Sequence, residues 1–168
     1  MSELRFKLCL LGAFAVGKTS LVRRFVDGIY DDDYHTTIGV KIDRHRTTVS
    51  DREVHLLIWD VAGAEDTFSV PSSYVAGAAG YLLVVDGTRA DTLSTAASLV
   101  EQVRHDVGPI PFIVLLNKSD LIGEWEISAD AIPEVISRHA VDILQTSAKT
   151  GDHVSEAFER LARTMAEA

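Results

Sequence analysis

The chain of 168 residues contains a single cysteine, only four prolines and two methionines, and no apolar stretch near the roughly 18 residues that a membrane-spanning helix needs. With Cys9 alone, no disulfide can close within the chain and no metal cluster can rest on thiolates, which points to a reducing compartment and a cytoplasmic protein. Cys9 itself lies in the apolar run 8–11 and reads as a small core residue rather than a reactive thiol. A block of basic residues is also missing. Sixteen Lys plus Arg stand against 25 Asp plus Glu, a net charge of −9, which speaks against bulk nucleic-acid binding and against adsorption to anionic lipid by charge. The start, Met1-Ser2-Glu3-Leu4-Arg5, lacks the basic and then apolar pattern of a signal peptide, and Ser2 stands where myristoylation needs glycine. Nothing visible exports the chain or anchors it to lipid.

What is present fits one compact domain over 1–168, with 46% hydrophobic and 24% charged residues. Apolar runs alternate with amphipathic stretches to the end. Residues 5–11 read as a buried strand, followed by a glycine-bearing loop at 12–17 and a helix over 18–26. Runs 38–49 and 53–60, joined by Ser50-Asp51-Arg52, suggest a hairpin. The short runs 81–86 and 111–117 are rich in Val, Leu and Ile, as in strands covered on both faces. Between them Leu93, Ala96, Ala97, Val100 and Val103 recur at helical spacing, and Gly108-Pro109 ends that helix. A helix over 129–139, a strand over 141–145 and a last helix marked by Val154, Ala157, Phe158 and Leu161 complete the pass. Such alternation argues for a doubly wound α/β sheet with its ligand at the carboxyl ends of the strands.

Two motifs carry chemistry. Gly12-Ala13-Phe14-Ala15-Val16-Gly17-Lys18-Thr19 has the phosphate-loop spacing and lies between a strand and a helix start. Its glycines let backbone amides and the helix N-terminus wrap an anion, Lys18 can reach the β and γ phosphates, and Thr19 offers magnesium a hydroxyl. Asn117-Lys118-Ser119-Asp120 ends a strand, and a carboxylate at Asp120 can accept from both the ring N–H and the exocyclic amine of guanine. Adenine offers no such donor pair, so the motif favours GTP over ATP.

These motifs, together with Thr37-Ile38-Gly39-Val40, Trp59-Asp60-Val61-Ala62-Gly63 and Ser147-Ala148-Lys149, follow the order and near spacing of the small GTPases of the Ras superfamily. Over essentially its whole length the chain resembles that family, and Ile38-Gly39-Val40 and Trp59 are most similar to its Rab branch. The resemblance implies a phosphate-loop NTPase fold, with a six-stranded, mostly parallel sheet, one antiparallel strand and five helices. It implies bound GTP or GDP with magnesium, and slow hydrolysis of GTP by a monomeric switch. An effector, an exchange factor and an activating protein would act on it.

The implied nucleotide contacts come from Gly12, Ala15, Val16, Gly17, Lys18, Thr19 and Ser20, then Tyr30, Tyr34, Thr37 and Gly63, and finally Asn117, Lys118, Asp120, Ser147, Ala148 and Lys149. Thr19 and Thr37 would hold magnesium directly and Asp60 through water, with Thr36 as rival to Thr37. Lys18, Thr37 and Gly63 would serve catalysis. Tyr30 would pack edge-on to the base, Tyr34 would fold over the phosphates, and the amide of Ala148 would meet the guanine oxygen.

The chain also departs from the family pattern. Ala64 stands where the resemblance calls for a catalytic glutamine, and a methyl group can orient no water. Phe14 stands at a loop position often held by Gly or Ser and would crowd an arginine finger. Glu65, Asp66 and His35 are conceivable substitutes for orienting the water, though each reads first as a solvated switch residue. Asp31-Asp32-Asp33 reads as a solvated acidic turn, or else as a selector of basic partners or a charge that weakens nucleotide binding by repulsion; Pro71 restricts helix in the second switch, and Phe68 is out of step with the Rab aromatic. Trp59 and Trp125 read as packing residues. Hydrolysis is thus suppressed or handed to a partner, or merely slow. The alternative is a GTP-bound scaffold or interaction module that hardly hydrolyses.

Overall fold

The computed structural model describes residues 3–31, 37–63 and 70–168. In chain order the elements are β1 (Leu4–Gly12), α1 (Lys18–Asp27), β2 (Val40–Val49), β3 (Arg52–Val61), α2 (Ser72–Val75), β4 (Gly80–Asp86), α3 (Asp91–Asp106), β5 (Phe112–Asn117), α4 (Glu134–Ser137), β6 (Asp142–Thr146) and α5 (Val154–Glu167). Short 3-10 segments cover Ser119–Glu124 and Ala129–Ala131. The six strands form one sheet in the order β2-β3-β1-β4-β5-β6. All neighbours are parallel except β2 and β3, which are antiparallel. This is the doubly wound arrangement that the alternating pattern implies.

Period-two alternation sorts the central strands between two cores. Leu8, Leu10, Leu82, Val84, Ile113 and Leu115 face one side with α1 and α5. Cys9, Leu11, Tyr81, Leu83, Val85, Val114 and Leu116 face the other with α3. Cys9 is buried, and burial raises its thiol to about 11, in keeping with the core reading. Phe25 of α1 stacks on Phe158 of α5 at 4.1 Å between centroids, fastening the helices that flank the phosphate loop side. Trp59 packs against the second core, with Lys7 Nζ 3.6 Å over its ring.

The hairpin turns at Ser50 and Asp51, whose φ angles of 49° and 64° give the two left-handed residues of a type I′ turn between the paired Val49 and Arg52. One expectation needs correction. Residues 129–139 do not form one helix, because Pro133 lacks an amide donor and Ile132 before it is extended at φ −71° and ψ 120°. A 3-10 turn therefore precedes the single turn α4. Pro71 restricts helix as expected, with only the single turn α2 following it. It stands at φ −55° and ψ 130° immediately before α2 and sets where that helix begins.

Register carries the motif residues to one end of the sheet. Leu10 pairs with Asp60, Gly12 with Val84, Asp86 with Asn117 and Asn117 with Thr146. The carboxyl ends of five strands thus open on a common crevice. Among the described residues no helix is long and apolar enough to cross a membrane.

Candidate functional site

The phosphate loop leaves β1 at Gly12 and enters α1 at Lys18. Its curve depends on left-handed backbone at Ala15 (φ 62°) and Gly17 (φ 104°). A side chain at Gly17 would run into the amide of Asn117. Lys18 is buried and donates to the carbonyls of Gly12 at 3.2 Å and Ala13 at 3.0 Å. Burial lowers its ammonium to about 8, while the nearby Asp60 charge acts the other way. Ser20 lies in the first turn of α1, and Phe14 is exposed.

Beside the loop, three oxygen-bearing side chains converge from three segments. Thr19 Oγ1 donates to Asp60 Oδ2 at 2.6 Å. Having spent its proton there, it accepts from Thr37 Oγ1 at 2.5 Å. Asp60 is buried, its Oδ1 has no hydrogen-bond partner, and burial raises its carboxyl above the ordinary range despite Thr19 and Lys18. Two hydroxyls and one carboxylate with an orphaned oxygen suit a hard cation such as magnesium, which takes few carboxylates and shares its shell with phosphate. Gly63 lies against this corner, and a side chain on it would fall on the backbone of Ala13 and Phe14.

At the far side, Asn117 Nδ2 donates to Val16 O at 2.9 Å and Thr146 Oγ1 donates to Asn117 Oδ1 at 3.1 Å. Lys118, at φ 73°, extends Nζ to Ala15 O at 3.1 Å and to Asp86 Oδ2 at 2.7 Å. Ser147 Oγ donates to Asp120 Oδ1 at 2.7 Å and accepts from Thr150 N at 3.1 Å. Ala148 is buried, and Arg24 Nη1 and Nη2 donate to the carbonyls of Lys149 at 3.4 Å and Thr150 at 3.1 Å.

The family model of the Ras family matches residues 7–167. The chain belongs to the Ras family. It is a small GTPase of the GTP-binding switch type, and Ras-family proteins take guanine nucleotides with magnesium and act through regulators and effectors. In this family member the crevice gathers Gly12, Ala15, Val16, Gly17, Lys18 and Thr19 beside Thr37, Asp60, Gly63, Asn117 and Lys118, with Asp120 bonded to the Ser147 loop. Tyr30 is exposed beyond α1. Asp32, Asp33, Tyr34, His35, Thr36, Ala64, Glu65, Asp66 and Phe68 lie outside the described residues.

Sequence reasoning missed Asp86, Arg89, Thr146 and Arg24. Asp86-Gly87-Thr88 at a strand end was a usable signal, since a carboxylate there faces the crevice of a doubly wound sheet. Nothing local marks Arg24.

Proposed function

We propose that this chain is a magnesium-dependent guanine-nucleotide switch, most similar to the Rab branch, formed as one domain and working in the cytoplasm as a monomer. The observation that carries the reading is the oxygen cluster of Thr19, Thr37 and Asp60, with one carboxylate oxygen unsatisfied, set beside a phosphate loop. Thr19 and Thr37 would hold magnesium directly and Asp60 through water. Bound magnesium would supply positive charge to the β and γ phosphates.

Amides of Ala15, Val16 and Gly17 and the ammonium of Lys18 would cradle the phosphates, with Ser20 beside them at the helix start. Tyr30 would pack against the base, and Tyr34 would close over the phosphates. Asp120 would accept from guanine, Lys118 would lie along base and ribose, and Asn117, Ser147, Ala148 and Lys149 would complete the base end. Thr37 and Gly63 would sense the γ-phosphate and pull the two switch segments that effectors, exchange factors and activating proteins read.

Hydrolysis would join a water oxygen to the γ-phosphorus and break its bond to the β-phosphate oxygen, the proton passing to the released phosphate. Ala64 supplies nothing to orient that water and Phe14 narrows the approach of an arginine finger, so turnover falls at or below about 10⁻⁴ per second. These two residues also favour a second reading, a GTP-loaded scaffold.

Single-turnover GTP hydrolysis with the parent, Ala64→Gln and Phe14→Gly separates the two. Acceleration by about 10² in Ala64→Gln supports a switch whose catalysis lacks only a water-positioning group. No turnover in any of the three proteins supports the scaffold. A parent at the ordinary rate that neither change accelerates overturns suppressed catalysis.

A further inference from the structure

The turn between β4 and α3 is fixed on several sides. Asp86 Oδ1 accepts from Thr88 N at 2.9 Å and Thr88 Oγ1 at 2.7 Å. Thr92 Oγ1 donates to Arg89 O at 2.7 Å. Gly87 N donates to Asn117 O at 3.0 Å, and Glu126 N donates to Gly87 O at 2.8 Å while its carboxylate accepts from Ala90 N at 2.9 Å. From this frame Arg89 Nη1 donates to Phe14 O at 3.0 Å and stands 3.8 Å from Asp86 Oδ2.

Asp86 is fully buried, so its charge must be balanced by neighbours rather than water. Its two cationic neighbours, Arg89 and Lys118, hold consecutive carbonyls of the phosphate loop, Phe14 O and Ala15 O. In a trans peptide the carbonyl and the following N–H point in opposite directions. Drawing Phe14 O outward therefore turns the N–H of Ala15 into the crevice. Ala15 sits at φ 62°, a left-handed conformation that a residue with a side chain keeps only when its surroundings impose it.

We infer that Arg89, anchored on Asp86, is a positioning residue that holds the strained tip of the phosphate loop in its anion-binding curve. The inference rests on the nucleotide-site reading above. Arg89 acts on the backbone and needs no contact with the nucleotide.

The test is release of a fluorescent GDP analogue from the full chain in magnesium, for the parent, Arg89→Ala, Arg89→Gln and Arg89→Lys, each also carrying Ala15→Gly. Loss of a charge-assisted hydrogen bond speeds release about tenfold in Arg89→Ala and Arg89→Gln, and Lys restores most of it. Glycine removes the strain at position 15, so the same acceleration shrinks to less than about threefold in the Ala15→Gly background. Unchanged release in Arg89→Ala and Arg89→Gln, or equal acceleration in both backgrounds, overturns the positioning role. A parent that holds no GDP overturns instead the nucleotide-site reading and the inference built on it.

Discussion

At the base end of the crevice Asp120 already accepts from Ser147, and Asn117 is bonded to both Val16 and Thr146. At the phosphate end Thr19, Thr37 and Asp60 bond to one another, and Asp60 Oδ1 is left without a partner. The first end is preorganised by side chains from separate elements. The second leaves one buried carboxylate oxygen unsatisfied, the place that the proposed cation would compensate. On the proposed reading, the groups that would select the base are already in place in the fold, and closure at the phosphates would depend on what binds.

Changes at the base end should break selectivity, and changes at the phosphate end should shift stability in a magnesium-dependent way. The largest effect belongs to Asp120→Asn. An amide offers a donor where guanine requires an acceptor, so guanine preference falls by about 10³ or more and xanthosine nucleotides compete in its place. A competition assay with an unchanged preference would remove Asp120 from base recognition.

A smaller effect follows at Asp60. Its carboxyl is held above the ordinary range by burial, so the folded state binds this proton more tightly than the unfolded state. Its contribution to stability therefore falls as pH rises through that window, and the deficit persists at pH 7. Asp60→Asn accordingly melts a few degrees higher than the parent in chelator and loses that advantage in magnesium. A lower melting temperature in chelator would mean that the carboxylate is satisfied without a cation.

The smallest effect sharpens the base end. His153 Nδ1 lies 2.8 Å from Gln145 O, and this contact, then Asp152, raises its imidazole above the ordinary 6.5. Its support for the neighbouring loop is full below the unfolded value and is lost as pH rises through the folded one. Proton NMR titration should place its midpoint above 6.5, falling back toward it in Asp152→Asn.

Strands were legible where burial on both faces makes a continuous apolar run, as in β4 and β5, and helices where the apolar stripe is long, as in α3 and α5. The 129–139 segment was misread because its apolar spacing was followed through Pro133. The compact motifs stood out in the sequence because a loop wrapping phosphates, or a turn reading a base, would need its residue types close together, and the sheet register does bring them to one end. Arg89 was not, since it meets Phe14 across 75 positions, and Arg24 meets Thr150 across 126. Their value comes from the carbonyls they reach in the folded chain.

The most direct test is displacement of a fluorescent GDP analogue by GDP, GTP, ATP and GMP, in magnesium and then in chelator. The account predicts displacement by GDP and GTP but not by ATP, and release at least about tenfold faster once magnesium is removed. Equal displacement by ATP, or release indifferent to magnesium, would contradict it.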